Sequence, residues 1–189
     1  MDWTTAADWG GSLAAAGSIV CLFRTSLWYW YLSIVATTLW FALFLATDAP
    51  IVAGLQLSYT LFALYGIVRW RLESRLRPIP SRLDHVGAAV ALGILACSIL
   101  LAELDGWRSW VEVAAVALSI AANWLTARKR IWCWPVWIST NLLFAVLFWD
   151  AELWGVFVMQ FVYAGSSVVG FTAWWRERRG RLIATPATV

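Results

Sequence analysis

The amino-acid sequence predicts an all-α integral membrane protein of seven transmembrane helices, arranged 3+1+3 as two parallel repeats joined by one connecting helix. Three observations lead there: apolar runs of bilayer length, basic residues gathered on one side, and an internal match at an offset of 104 residues. Of the 189 residues, 62% are hydrophobic and 13% charged, with a mean hydropathy of +0.72. A water-soluble domain of this size needs far more polar surface.

A hydrocarbon core about 30 Å thick takes roughly 20 apolar residues per helix. Seven runs qualify, at about 10–25, 28–46, 50–70, 86–102, 110–127, 131–149 and 153–175. The first is Gly/Ala-rich, and Ala14, Ala15 and Ala16 resemble a leader cleavage region. Residues 1–10 carry two acids and no base, however, whereas a signal peptide opens with positive charge, so this run is read as a mature helix.

The chain is read as a single transmembrane domain over 1–189. Repeat one covers about 10–70, a linker 71–85, the connecting helix about 86–102, repeat two about 110–175 and a cytoplasmic tail 176–189. The linker, RLESRLRPIPSRLDH, is the one long polar stretch, and Pro78 and Pro80 mark it as a connector. Cys21, Cys97 and Cys133 are scattered without CxxC spacing, so neither a disulfide nor a metal cluster is expected.

Charge placement orients the chain. Arg24, Arg69, Arg71, Arg75, Arg77, Arg82, Arg128, Lys129, Arg130, Arg176, Arg178, Arg179 and Arg181 fall on one side, 13 of the 14 basic residues; Arg108 falls on the other. Eight of the eleven acids do the reverse: Asp2, Asp8, Asp48, Glu103, Asp105, Glu112, Asp150 and Glu152. The positive-inside rule puts the N-terminus outside and the C-terminus in the cytoplasm, which needs an odd number of spans. Most of the 16 tryptophans are read as interfacial anchors: Trp28, Trp30, Trp70, Trp132, Trp174 and Trp175 at inner ends, and Trp9, Trp107, Trp110, Trp149 and Trp154 at outer ends.

The offset of 104 aligns 24–70 with 128–174 without a gap. Twelve of 47 positions match, including Trp30/Trp134, Gln56/Gln160, Tyr59/Tyr163, Gly66/Gly170 and Trp70/Trp174. That is roughly three times what shared membrane composition supplies. A membrane helix has no compositional need for Gln, Tyr and Gly at fixed spacing, so common ancestry is the economical reading. One inverting helix between two three-helix units makes the repeats parallel, related by an axis along the membrane normal, and such units can rock about a central site.

Ionisable residues deep in a bilayer are costly and usually functional, yet the span centres hold none. The sole lysine, Lys129, falls at a helix end, which argues against a retinal Schiff base. His85, at the start of span 4, reads as interfacial; for Glu112, near the outer end of span 5, structural and functional readings balance. The remaining polar groups are neutral. Trp134, Trp137 and Asn141 share one face of span 6, with Asn141 about 15 Å from the helix start and near the midplane. Gln160, Tyr163, Ser167 and Gly170 stripe span 7, Gln56, Tyr59, Ala63 and Gly66 stripe span 3, and Asn123 adds an amide from span 5. Singly these read as helix–helix glue; together they form a cavity lining. Aromatic faces and amides suit a flat, hydroxylated, cationic heteroaromatic solute.

The stretch 128–137 (RKRIWCWPVW), the pattern Trp134, Trp137, Asn141, the run Leu147–Phe148 and the ending Gly170 to Trp174 resemble the PnuC family of bacterial vitamin transporters, over roughly residues 8–176. The resemblance implies a homotrimer in the bacterial inner membrane that passes nicotinamide riboside by facilitated diffusion, a cytoplasmic kinase trapping the product by phosphorylation. It assigns solute contacts to Trp137, Asn141, Gln160 and Tyr163, helped by Gln56, Tyr59 and Asn123. The Trp-Cys-Trp-Pro-Val run also resembles the riboflavin branch, and thiamine carriers share the fold. No cofactor, metal or nucleic-acid partner is expected, membrane lipid is, and the rival class is a membrane enzyme or signalling scaffold.

Overall fold

The computed structural model describes residues 3–46, 50–76, 80–101, 106–150 and 154–184. Arg77 and Pro78 of the linker, the acids Asp2, Asp48, Glu103, Asp105 and Glu152, and residues 185–189 of the tail lie outside the described residues. Among the described residues there are seven α-helices and no strands: α1 (Trp3–Phe23), α2 (Trp28–Ala46), α3 (Pro50–Ser74), α4 (Ser81–Leu101), α5 (Gly106–Ala127), α6 (Cys133–Asp150) and α7 (Trp154–Ala184). Stretches within α1, α5 and α7, at Ala6–Phe23, Gly106–Ala127 and Phe157–Arg179, are long and apolar enough to cross a membrane.

Helix bounds follow local chemistry. Pro50 opens α3, where a missing N–H leaves no intrahelical acceptor unsatisfied, and Pro135 sits in the first turn of α6 for the same reason. Both α1 and α5 end in a Schellman turn, in which N–H groups beyond the helix return to carbonyls of the last turn. After α1, Thr25 N donates to the Leu22 carbonyl (2.9 Å) and Ser26 N to that of Cys21 (3.0 Å). After α5, Lys129 N donates to Thr126 (2.9 Å) and Arg130 N to Leu125 (2.9 Å). Thr25 (φ 50°) and Lys129 (φ 49°) take the left-handed conformation usual for glycine at this position, and they lie 104 residues apart. Helix α7 continues beyond the predicted membrane edge at 175 to Ala184, because RERRGRL is a good helix former once past the bilayer.

Consecutive helices pack as neighbours, α1 on α2, α2 on α3, α5 on α6 and α6 on α7; α3 meets α5, α1 meets α7, and α4 lies against α3 and α5. Hydroxyls in these apolar contacts bond the carbonyl one turn back, as Ser33, Thr37, Ser58, Thr126, Thr140 and Ser167 do. Thr37 and Thr60 also bond each other (2.7 Å), tying α2 to α3.

Three tryptophans correct the sequence reading. Trp30, Trp70 and Trp174 are no more than 3% exposed and belong to the core, whereas Trp9, Trp28, Trp107, Trp110, Trp132, Trp149 and Trp175 are exposed. Trp30 fits because Gly66 leaves room for it: a Cβ at Gly66 would fall inside the Trp30 indole. Gly170 serves Trp134 in the same way. Each pair is capped by a third ring set edge-on, Trp70 against Trp30 (5.4 Å, 74°) and Trp174 against Trp134 (5.2 Å, 80°). Gly54 and Gly165, by contrast, face open space.

Candidate functional site

The centre of the polar constellation is one face of α5. Ser119, Asn123 and Thr126, spaced i, i+4, i+7, are all buried there. From α3, the Tyr59 hydroxyl reaches Ser119. From α6, Trp137 Nε1 donates to Thr126 Oγ1 at 3.1 Å. Within α5, Asn123 Nδ2 donates to the Ser119 carbonyl at 3.1 Å. Three of the predicted site residues, Tyr59, Asn123 and Trp137, therefore meet on a stripe whose other members, Ser119 and Thr126, sequence reasoning missed. Nothing but their helical spacing from Asn123 could have drawn attention to them, since single hydroxyls are common in membrane helices.

Asn141 lies one turn further along α6 from Trp137 and is 7% exposed. Gln56, one turn before Tyr59 on α3, is equally buried, and its Oε1 has no partner among the described residues. Buried amide groups without protein partners are uncommon and mark polar space or a function. On α7, Gln160, Ser167, Gly170 and Trp174 are buried and Tyr163 half-buried, in one stripe whose inner end packs against α6. Trp134, one turn before Trp137 on α6, packs against Gly170, Trp174 and Phe23, and its Nε1 has no partner among the described residues. His85 and Glu112 are exposed.

All the fully buried polar side chains among the described residues are neutral: hydroxyls and the amides of Gln56, Asn123, Asn141 and Gln160. Charge appears at the end of the helices where the basic residues gather. A cavity of about 340 Å³ opens there, lined by Thr25, Glu73, Ser74, Lys129, Glu177 and Arg178 beside Trp174. Thr25 and Lys129, Glu73 and Glu177, and Ser74 and Arg178 are pairs 104 residues apart.

Polar contacts cross this end. Lys129 Nζ pairs with Glu73 at 3.1 Å and lies 4.9 Å over the Trp70 ring, and Arg178 donates to the Lys129 carbonyl at 2.9 Å. Trp70 Nε1 on α3 donates to the Ala127 carbonyl at the end of α5 (2.8 Å), and Trp174 Nε1 on α7 donates to the Leu22 carbonyl at the end of α1 (3.2 Å). Each indole donates to a carbonyl in the last turn of another helix, where intrahelical donors run out; that of Leu22 also accepts from Thr25 N.

Two indole bonds and an ion pair thus join the helices at this charged end. No group of side chains that could hold a metal ion accompanies it among the described residues. The profile of a family described as nicotinamide mononucleotide transporter matches residues 5–176. A crystal structure of the vitamin B3 transporter PnuC is similar in fold, with a TM-score of 0.63 at 19% identity, covering 89% of this chain and 81% of that one. Comparison with curated proteins gives no match.

Proposed function

Because the chain belongs to the nicotinamide mononucleotide transporter family, a family of membrane transporters and not of enzymes, we propose that it carries nicotinamide riboside into the cell by uniport. Family membership supports transport; the substrate rests on one observation, the neutrality of the buried polar side chains. A phosphate dianion left without a cation in a low-dielectric site bears a desolvation cost that amides and hydroxyls do not offset. Nicotinamide riboside presents a cationic ring, a neutral carboxamide and ribose hydroxyls, which aromatic faces and amides accommodate. Trp137, Asn141, Gln160 and Tyr163, with Gln56, Tyr59 and Asn123, form the solute contacts in this reading, and Trp134 braces the helix that bears two of them. Thiamine, also a flat cation, and riboflavin are the alternatives within the same carrier type.

All seven helices span the inner membrane in this proposal, N-terminus outside and C-terminus cytoplasmic, as two parallel repeats in a 3+1+3 arrangement within one domain. Matching Schellman turns, matching Trp–Gly–Trp sandwiches and the two crossing indole bonds support that arrangement. The charged cavity then faces the cytoplasm. Its ion pair and indole bonds close the inner side, and rocking of the units releases them to let the solute out. Among the described residues no carboxylate is fully buried, which supports uniport over ion coupling. Phosphorylation by a cytoplasmic kinase makes net uptake one-way, and the carrier works as a homotrimer.

The test is uptake of labelled nicotinamide riboside by purified protein in liposomes. Uptake without an imposed ion gradient, and exchange against unlabelled riboside, are expected. A strict requirement for a proton or sodium gradient overturns uniport; uptake of thiamine or riboflavin in place of riboside overturns the substrate and keeps the carrier.

A further inference from the structure

We propose that the groove between α3 and α4 binds one anionic phospholipid, an acyl chain lying in the groove and the phosphate held between Arg75 and Arg82. The groove has a volume of about 270 Å³ and an almost wholly apolar wall, with Leu61, Leu64 and Val68 from α3 facing Val86, Gly87 and Val90 from α4. Leu61, Leu64, Val68 and Val86 are each 41–58% exposed, so the wall is open along its length. The two helices come close where Gly87 meets Tyr65; a Cβ at Gly87 would lie 2.9 Å from that ring.

Charge complementarity decides the occupant. On α3, Leu61, Leu64, Val68, Arg71 and Arg75 follow at spacings of three and four, so the apolar wall runs into arginines on the same face. On α4, Arg82, Val86 and Val90 do the same at spacings of four. Arg71 donates to the Tyr31 hydroxyl and lies over its ring, while Arg75 and Arg82 are exposed at the mouth. Residues 69–85 hold five arginines against two acids, and Glu73 is engaged with Arg69 and Lys129. From Leu61 to Ser74, the last residue of α3, is about 20 Å of helix, with Arg75 next in the chain, which matches one leaflet, half of a ~30 Å core plus the headgroup layer. Basic pockets between membrane helices on the cytoplasmic side recognise anionic headgroups in this way. The leaflet rests on the orientation proposed above; the site itself needs only that this end lies at a membrane surface.

The experiment is native mass spectrometry of the full chain in detergent, with added dioleoylphosphatidylglycerol or dioleoylphosphatidylcholine, which reads lipid adducts whether or not transport occurs. One phosphatidylglycerol per chain should bind in preference to phosphatidylcholine. The double variant Arg75→Ala/Arg82→Ala should weaken it about 25-fold, roughly fivefold per juxtamembrane arginine. Arg75→Lys/Arg82→Lys should retain most of it, and Val68→Trp, which fills the groove without changing charge, should also abolish preference. Equal binding of the two lipids overturns the proposal. So does an equal loss in Arg130→Ala/Arg176→Ala, which removes the same charge elsewhere. A change of oligomer mass in Val68→Trp with lipid binding intact assigns the groove to a second copy of the chain instead.

Discussion

Replacing Gly170 by alanine should destabilise the protein by about 2–3 kcal/mol, the upper part of the range for overpacking a filled site. The added methyl would overlap the six-membered ring of Trp134 at three of its atoms. That ring is 2% exposed, held edge-on by Trp174 at 5.2 Å and tilted against Phe23 at 6.0 Å, so it has no free direction in which to move. Relief needs either a backbone shift of α7 away from α6 or a rotamer change that breaks both ring contacts. Gly66→Ala should cost a similar amount, because Trp30 meets it in the same way beneath Trp70. Gly165→Ala, on the same helix with nothing near its added Cβ, should stay within about 0.5 kcal/mol. The assay is reversible unfolding in mixed micelles followed by tryptophan fluorescence. Combining Gly170→Ala with Trp134→Phe should return more than half of the loss, since contacting residues couple in a double-mutant cycle. A Gly170→Ala protein as stable as Gly165→Ala, or a cycle without coupling, would refute the close-packing account.

Three further outcomes follow from the same geometry. Asn141→Leu keeps volume while deleting the amide, so riboside binding measured by calorimetry should weaken tenfold or more, about 1.5–3 kcal/mol for hydrogen bonds to a charged solute, with folding intact; unchanged affinity makes Asn141 a packing residue. Trp70→Phe leaves the buried Ala127 carbonyl without its donor and should cost about 1–3 kcal/mol in the same unfolding assay. Thr25→Gly relieves a β-branched residue at φ 50° and should stabilise by about 1 kcal/mol; a loss of stability would mean that the Thr25 side chain holds the turn.

Much of this fold is legible in the sequence because lipid permits few solutions: a run of about 20 apolar residues spans as a helix or not at all. The pairing of Gln56 with Gln160 and of Tyr59 with Tyr163 was visible because polar residues at fixed spacing stand out against leucine. The tryptophans were harder. Trp28 and Trp30 are two residues apart, yet one is 64% exposed and the other 1%. Composition cannot separate them; only Gly66, more than thirty positions on, decides which one has room to enter the core. The repeat did hold that signal, since Trp30 and Gly66 match Trp134 and Gly170 whereas lipid-facing anchors need no glycine partner. Likewise Ser119 and Thr126 gain meaning only when α3 and α6 are seen to approach α5, contacts between distant parts of the chain that no local pattern encodes.

The two crossing indole bonds have the form of an isologous contact. In a two-fold dimer the same patch serves both subunits, residue i of one meeting residue j of the other and the reverse. Here Trp70 meets the end of α5 and Trp174 meets the end of α1, the second acceptor one residue short of strict equivalence. The α1–α3 half thus owns both a donor, Trp70, and an acceptor, the Leu22 carbonyl, and its surface is complementary to a copy of itself. In the 3+1+3 arrangement proposed above, the chain has the form of a homodimer written as one polypeptide, with α4 as the tether between its two units. In that arrangement Lys129, whose counterpart is Thr25, gives the closed end a cation on one side and a hydroxyl on the other.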